Sequence, residues 1–405
     1  MRSMFRLVVL LACLAPAQAV FAQLTFVEIA REFGGGLRWF DPNFRPAIAD
    51  DGMVVLAGSH VDDNNNQFSA THIFVGDGGQ LKAANFSSYD LSAPGQLFIK
   101  DQGGVAFPAT RTARRGTYRG VYKLTFNRKG AVFSTLYEGL NTANPAPNAL
   151  RPVRHDIAMS PDGMIAFSSI VNGAGALYTS PFAGSYSVLR TGTGGFYNTQ
   201  YIDVNDAGHT VAQMEYFDPT AGLSRGFLVF ETPNQTLAQT DTALERLSIG
   251  AQPVPVINAA GTVAFVSNGN MTMRFFNPPG VFNNTDYEDV VVGPGVWTVT
   301  PGPWSYAKYP VLFAGPANGY SNFTRVEIND LGEIAFQASA NGQHGVFTGP
   351  NPATDKVLAS GDILGPQLYS VVSLGGLNNA GEIAIWTSDF YSTDRQVWRV
   401  EGAYQ

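Results

Sequence analysis

Ile328-Asn329-Asp330-Leu331-Gly332-Glu333-Ile334-Ala335-Phe336 decides the fold, because its pattern returns six more times along the chain. The other copies are Ile48-Ala-Asp-Asp-Gly52, Ile99-Lys-Asp-Gln-Gly103, Met159-Ser-Pro-Asp-Gly163, Val204-Asn-Asp-Ala-Gly208, Ile257-Asn-Ala-Ala-Gly261 and Leu377-Asn-Asn-Ala-Gly381. Each places an aliphatic residue, a polar turn and a glycine before a small apolar strand. Ser160-Pro161-Asp162-Gly163 has the order of a type I turn: a side-chain acceptor, a proline with preset φ, then Asp. Glycine then supplies the left-handed residue that folds two strands back on each other. Every copy therefore reads as a tight hairpin tip.

Beyond the glycine come Val105-Ala106-Phe107, Ile165-Ala166-Phe167, Val263-Ala264-Phe265, Ile334-Ala335-Phe336 and Ile383-Ala384-Ile385. These strands are apolar on both faces, as expected of strands covered on both sides. Their central alanine implies a neighbouring sheet too near for a larger side chain. Val54-Val55-Leu56 is a looser copy, and Thr210-Val211-Ala212 is degenerate or shifted by one residue.

The glycines are 51, 60, 45, 53, 71 and 49 residues apart. A propeller blade of four strands with its loops takes roughly 40 to 50 residues or more, whereas a β-helix coil is much shorter. Strands such as Gly120-Val-Tyr-Lys-Leu124 and Gly345-Val-Phe347, then Lys356-Val-Leu-Ala359, complete the unit. The expected fold is a single all-β propeller of seven four-stranded blades over residues 23–405. Phe26-Val-Glu-Ile-Ala30 is expected to pair with the C-terminal strand and close the ring, removing two exposed sheet edges.

Residues 1–22 read as a signal peptide: Arg2 and Arg6, the apolar run Leu7 to Leu14, and a small-residue cleavage signal ending at Ala22. The one cysteine, Cys13, lies inside it, in a loose likeness to a lipoprotein box. The mature chain then has neither disulfide nor thiolate site. No other apolar run approaches the roughly 20 residues of a membrane helix, so a secreted or periplasmic protein without membrane insertion is expected. A net charge of −7 and charged residues at only 14% argue against nucleic acid as a partner. A monomer is expected.

Candidate chemistry is sparse. Arg111, Arg114, Arg115 and Arg119 crowd one loop, where Arg114 and Arg115 are candidates for binding a polyanion and a solvated loop is the plainer reading. None of the five histidines forms a zinc-binding pair. His155 stands beside Arg154 and could abstract the proton next to a uronate carboxylate that Arg154 neutralises, or simply begin a strand. Asp62, Asn64 and Asn66 alternate in a loop as calcium ligands would, without the glycine and glutamate of an EF-hand loop. Calcium is the one cofactor on offer. Trp297, Trp304, Tyr306 and Tyr309 lie in the longest inter-motif connection, where amphipathic rings suit stacking on a sugar face or on a protein.

The repeated Asn-Asp-x-Gly-x-Ile/Val-Ala-Phe hairpin, most complete at Ile328 to Phe336, Gly345 to Phe347 and Lys356 to Asp362, resembles a group of exported bacterial propeller-type proteins. The resemblance implies a propeller and export, and it carries no catalytic residue. Two functions are expected from the sequence: binding of an extracellular glycan or protein, or cleavage of an acidic polysaccharide by a lyase using His155 and Arg154.

Overall fold

The computed structural model describes residues 24–31, 37–40, 45–60, 71–85, 91–92, 96–114, 116–127, 130–140, 157–171, 174–184, 187–191, 196–218, 222–230, 244–246, 255–276, 287–300, 309–364, 367–389 and 394–404. Their regular structure is all β apart from two short 3₁₀ turns. The strands form eight antiparallel sheets in a propeller arrangement, and seven sheets carry one motif turn each.

Six of the seven motif sheets have four or more strands. The fourth has three (196–204, 210–218 and 222–230), so six full blades stand where seven were expected. The reason lies in pairing. The strand Leu244–Arg246, next along the chain, bonds to Met271–Phe276 of a hairpin inserted in the fifth repeat, and with Tyr287–Val292 these make the eighth sheet.

The expected pairing of the chain ends is present, but it lies within the seventh sheet and does not close the ring as expected, since among the described strands no backbone ladder joins that sheet to the first. Thr25–Arg31 runs antiparallel to Arg395–Glu401 as the outer strand of the seventh sheet. Among the described strands no backbone ladder runs from one sheet to the next; neighbours meet through apolar side chains. Val105 and Phe107 pack toward the first sheet with Val55, Ile73 and Val75. Ala106 faces the third sheet, among Ile157, Ile165 and Phe167. Ala264, Ala335 and Ala384 likewise sit in clusters shared with the following sheet. The last of these joins Ala384 and Val397 to Val54, Leu56 and Phe74, so packing brings the seventh repeat against the first. The alanine thus marks the closest approach of two sheets.

Glycine at the head of the third strand has the same origin. A Cβ on Gly345 would lie 2.5 Å from the Leu358 carbonyl oxygen, and one on Gly120 would overlap the carbonyl of Tyr137. Both glycines let the fourth strand of their sheet come close.

Candidate functional site

Six motif turns share one backbone geometry. In the sixth, Asn329 N donates to Glu333 O at 3.1 Å and Gly332 N donates to Asn329 O at 3.0 Å. Gly332 has φ +82°, the left-handed value the turn requires. The second turn departs from this, with Gln102 at φ +66° inside a short 3₁₀ turn.

The first polar residue of the turn does two jobs. Its oxygen caps its own hairpin, as Asn329 Oδ1 does for Glu333 N at 2.9 Å. Its amide nitrogen reaches the next repeat. Asn205 Nδ2 donates to Asn258 O (2.8 Å), Asn258 Nδ2 to Asn329 O (3.1 Å), Asn329 Nδ2 to Asn378 O (3.0 Å) and Asn378 Nδ2 to Ala49 O (2.9 Å). A second relay runs one residue along. Asp206 Oδ1 accepts from Asp162 N, Asp330 Oδ1 from Ala259 N, Asn379 Oδ1 from Asp330 N and Asp50 Oδ1 from Asn379 N. Between the first and second turns Asp51 N donates to Asp101 Oδ1 and Asp51 Oδ2 accepts from Gln102 N. Where the second turn meets the third, Lys100 packs against Gly163. The described belt of hydrogen bonds is open at that joint.

Inside the belt lies an axial channel of about 120 Å³, lined by the innermost strands of all seven repeats. Its wall is apolar at Ile48, Ile99, Ile257 and Leu377. Four charged side chains interrupt it: Asp203 from the fourth repeat, and Arg325, Glu327 and Asp330 from the sixth. Arg325 is committed. It bonds Glu327 Oε1 from Nε at 2.7 Å and from Nη2 at 2.6 Å, and Nη2 also donates to the Gly375 carbonyl at 2.7 Å. Asp203 Oδ2 accepts from Ile257 N at 2.7 Å.

Asp203 is half-buried by its own area but sits wholly within the channel. Loss of hydration pushes its carboxyl up to about 7, Glu327 adds to the rise, and the Ile257 amide and Arg325 oppose it. Carboxyls of the belt move the same way: burial raises Asp50, with Asp101 and Asp330 adding to it, and burial raises Asp206. Unfolded, Asp203 releases its proton near 3.8. The native state therefore binds the extra proton between that value and about 7, and stability grows as pH falls through this window. Asp203→Asn is expected to raise the unfolding midpoint at pH 8 and to lose that advantage near pH 4, as thermal melts at the two pH values would record.

A second polar cluster joins the sixth and seventh repeats. Gln337 Oε1 accepts from Leu374 N (3.1 Å) and Ser373 Oγ (3.3 Å), which turns its Nε2 toward His344 Nε2 at 2.8 Å. That amide assignment makes the imidazole the acceptor there, so its proton is on Nδ1 and donates to Ser339 Oγ at 3.2 Å. Burial lowers the pKa of His344, in keeping with a neutral ring. The histidine thus does not act as a base toward Ser339.

Of the residues singled out in the sequence, the described ones, Trp297, Tyr309 and Arg114, do not line the channel. Arg154, His155, Arg115, Trp304, Tyr306, Asp62, Asn64 and Asn66 lie outside the described residues, as does the segment 1–22. Trp297 belongs to the strand Gly295–Val299, packs on the Val263–Phe265 cluster and donates its indole N–H to Gly293 O at 2.9 Å. It serves its own sheet. Tyr309 is exposed just before the strand Val311–Ala314, and Arg114 is exposed at the hairpin between 104–113 and 116–127. Arg111, their neighbour in the basic cluster, is tied by Nη2 to Glu138 at 2.6 Å, and Tyr122 donates to the same carboxylate. Among the described residues no group of three His, Cys, Asp or Glu is arranged to hold a metal ion, and no described helix is long and apolar enough to cross a membrane.

Asp203 and Glu327 went unnoticed in the sequence although a signal existed. Both occupy the position just before the motif's aliphatic residue, where the other copies have Ala47, Phe98, Ala158, Val256 and Gly376. Charge at two of seven equivalent positions, at both of which the residue lines the channel, is the anomaly.

No family model matches the chain, and no curated protein matches it. Among solved structures, prolyl oligopeptidase B from Galerina marginata aligns at 9% identity and a TM-score of 0.50, over 87% of this chain and 48% of that one. PorZ, a surface component of the type-IX secretion system of Porphyromonas gingivalis, aligns at 15% identity and 0.46, over 88% and 46%. The polysaccharide lyase Uly1 aligns at 9% and 0.46, over 88% and 90%. The chain spans about half the length of the first two. At these identities the likeness is one of fold alone.

Proposed function

We propose that this is an exported propeller that binds an extracellular ligand, a glycan or a protein, at the polar stretch of its axial channel. The observation that carries the reading is the meeting of Asp203, Arg325 and Glu327, from two repeats more than a hundred residues apart, in one half-enclosed space. A buried carboxyl held near neutrality in a cleft is a costly arrangement for stability alone, and such groups concentrate at functional sites. The leader-like segment 1–22 and the resemblance to exported propeller-type proteins support the extracellular setting.

The test is retention of acidic and neutral polysaccharides and of extracellular proteins on the immobilised mature chain (Gln23 onward), with Leu377→Trp as the blocked-channel comparison. Retention by the wild type that the tryptophan variant loses, at an unchanged unfolding midpoint, is the expected result. Equal retention by both would move the site off the channel, and retention of nothing would overturn the binding reading. Ultraviolet absorbance of an unsaturated uronate, followed in the same wells, would instead establish lyase chemistry.

A further inference from the structure

We propose that the axial channel takes up the side chain of a lysine presented by an extracellular protein, the ammonium group adding to Asp203 a counter-charge beyond that of Arg325, which is bound to Glu327. This rests on the channel being the ligand site, and it names the chemistry of the ligand.

Size comes first. A closed cavity of about 150 Å³ lined by apolar side chains holds a benzene ring of six heavy atoms. The channel, at about 120 Å³, suits the five heavy atoms of a lysine side chain. The wall has the matching character: Ile48, Ile99, Ile257 and Leu377 offer an apolar lining for four methylenes.

Charge decides the tip. The described lining has three carboxylates, Asp203, Glu327 and Asp330, against one cation, Arg325. Arg325 is bound to Glu327 and to the Gly375 carbonyl, which leaves Asp203 with backbone N–H donors from Ile257 and Val204. The flanking inner strands Ile157–Met159 and Val256–Ile257 bring no charged side chain. From Tyr320–Ile328 the groups facing Asp203 are Arg325 and Glu327. Asp50, Asp206 and Asp330 on the belt add negative potential at the turn end of the channel, which draws cations inward. An entering ammonium stays protonated at neutral pH, with an ordinary pKa of about 10.4. Its arrival favours the ionised form of Asp203, so binding strengthens as pH rises toward 8.

Titration calorimetry of the mature chain at pH 8 with Nα-acetyl-lysine methylamide, its norleucine counterpart and its arginine counterpart tests this. The lysine compound is expected to bind at least about tenfold more tightly than norleucine, and Asp203→Asn to lose about that factor with its fold intact by thermal melt. Preference for the arginine compound would replace the ammonium by a guanidinium and overturn the proposal. So would equal binding of lysine and norleucine, or wild-type affinity in Asp203→Asn. Retention of a glycan together with no lysine binding would sink this inference and leave the channel's binding role standing. Retention of nothing from the panel would remove both.

Discussion

Asn378→Leu is expected to lower the stability of the folded chain by about 3 kcal/mol, read as a shift in the urea midpoint at unchanged slope. Asn378 is 1% exposed, and leucine keeps its heavy-atom count and its branching at Cγ, so little of the loss would come from a cavity. Its Oδ1 accepts from Ala380 N at 3.1 Å and Glu382 N at 2.8 Å, and its Nδ2 donates to Ala49 O at 2.9 Å and Glu382 Oε2 at 2.7 Å. Leucine leaves those backbone partners inside the belt without their bonds, and each such buried group costs about 1 to 3 kcal/mol. The Ala49 bond also spans the join between the last repeat and the first. A loss below about 1 kcal/mol would mean that the asparagine serves its own turn only.

Ala335→Leu is expected to cost about as much by the opposite route. Ala335 has no exposed area and sits between the sixth and seventh sheets, among Val346, Leu374, Ile383 and Ile385. Three added carbons have no void to enter, so the sheets must part or neighbouring side chains leave their rotamers, at about 1 to 3 kcal/mol. Leu331→Ala, only four residues away in the same motif, is the control. Its side chain is 72% exposed at the tip of the turn, and its loss is expected to stay within about 0.5 kcal/mol. Equal effects at the two positions would contradict the reading of the alanine as a spacer between sheets.

These substitutions also show what a single repeat reveals. The hairpin, its left-handed glycine, the strand buried on both faces and the crowding at alanine are local consequences of residue type, and all could be read from Ile328 to Phe336 alone. The pairing of Thr25–Arg31 with the C-terminal strand followed from the need to cover an edge. The blade count did not follow in the same way. Whether Leu244–Arg246 joins its own repeat or the hairpin of the next is a competition between two sheets, and sequence periodicity is blind to it.

The residues of the proposed site were hidden for a related reason. A turn explains Asn258 or Asn329 fully within five residues, yet the amide nitrogen of each bonds a carbonyl in the following repeat, up to 71 positions away. Asp203 and Glu327 meet only because the ring brings the fourth and sixth inner strands to one axis. Trp297, one of the aromatic residues that drew attention instead, fills its own sheet. Residues drawn from different repeats become one site only after the register of all the repeats is known.

The charge balance of the channel is the claim on which the functional reading depends, and titration of the Asp203 carboxyl carbon by NMR tests it most directly. A midpoint close to 7 is predicted, falling when a cation occupies the channel. A midpoint near the ordinary aspartate value of about 3.9 would mean that the carboxylate is already solvated or paired, and the channel would then have no unmet charge with which to bind.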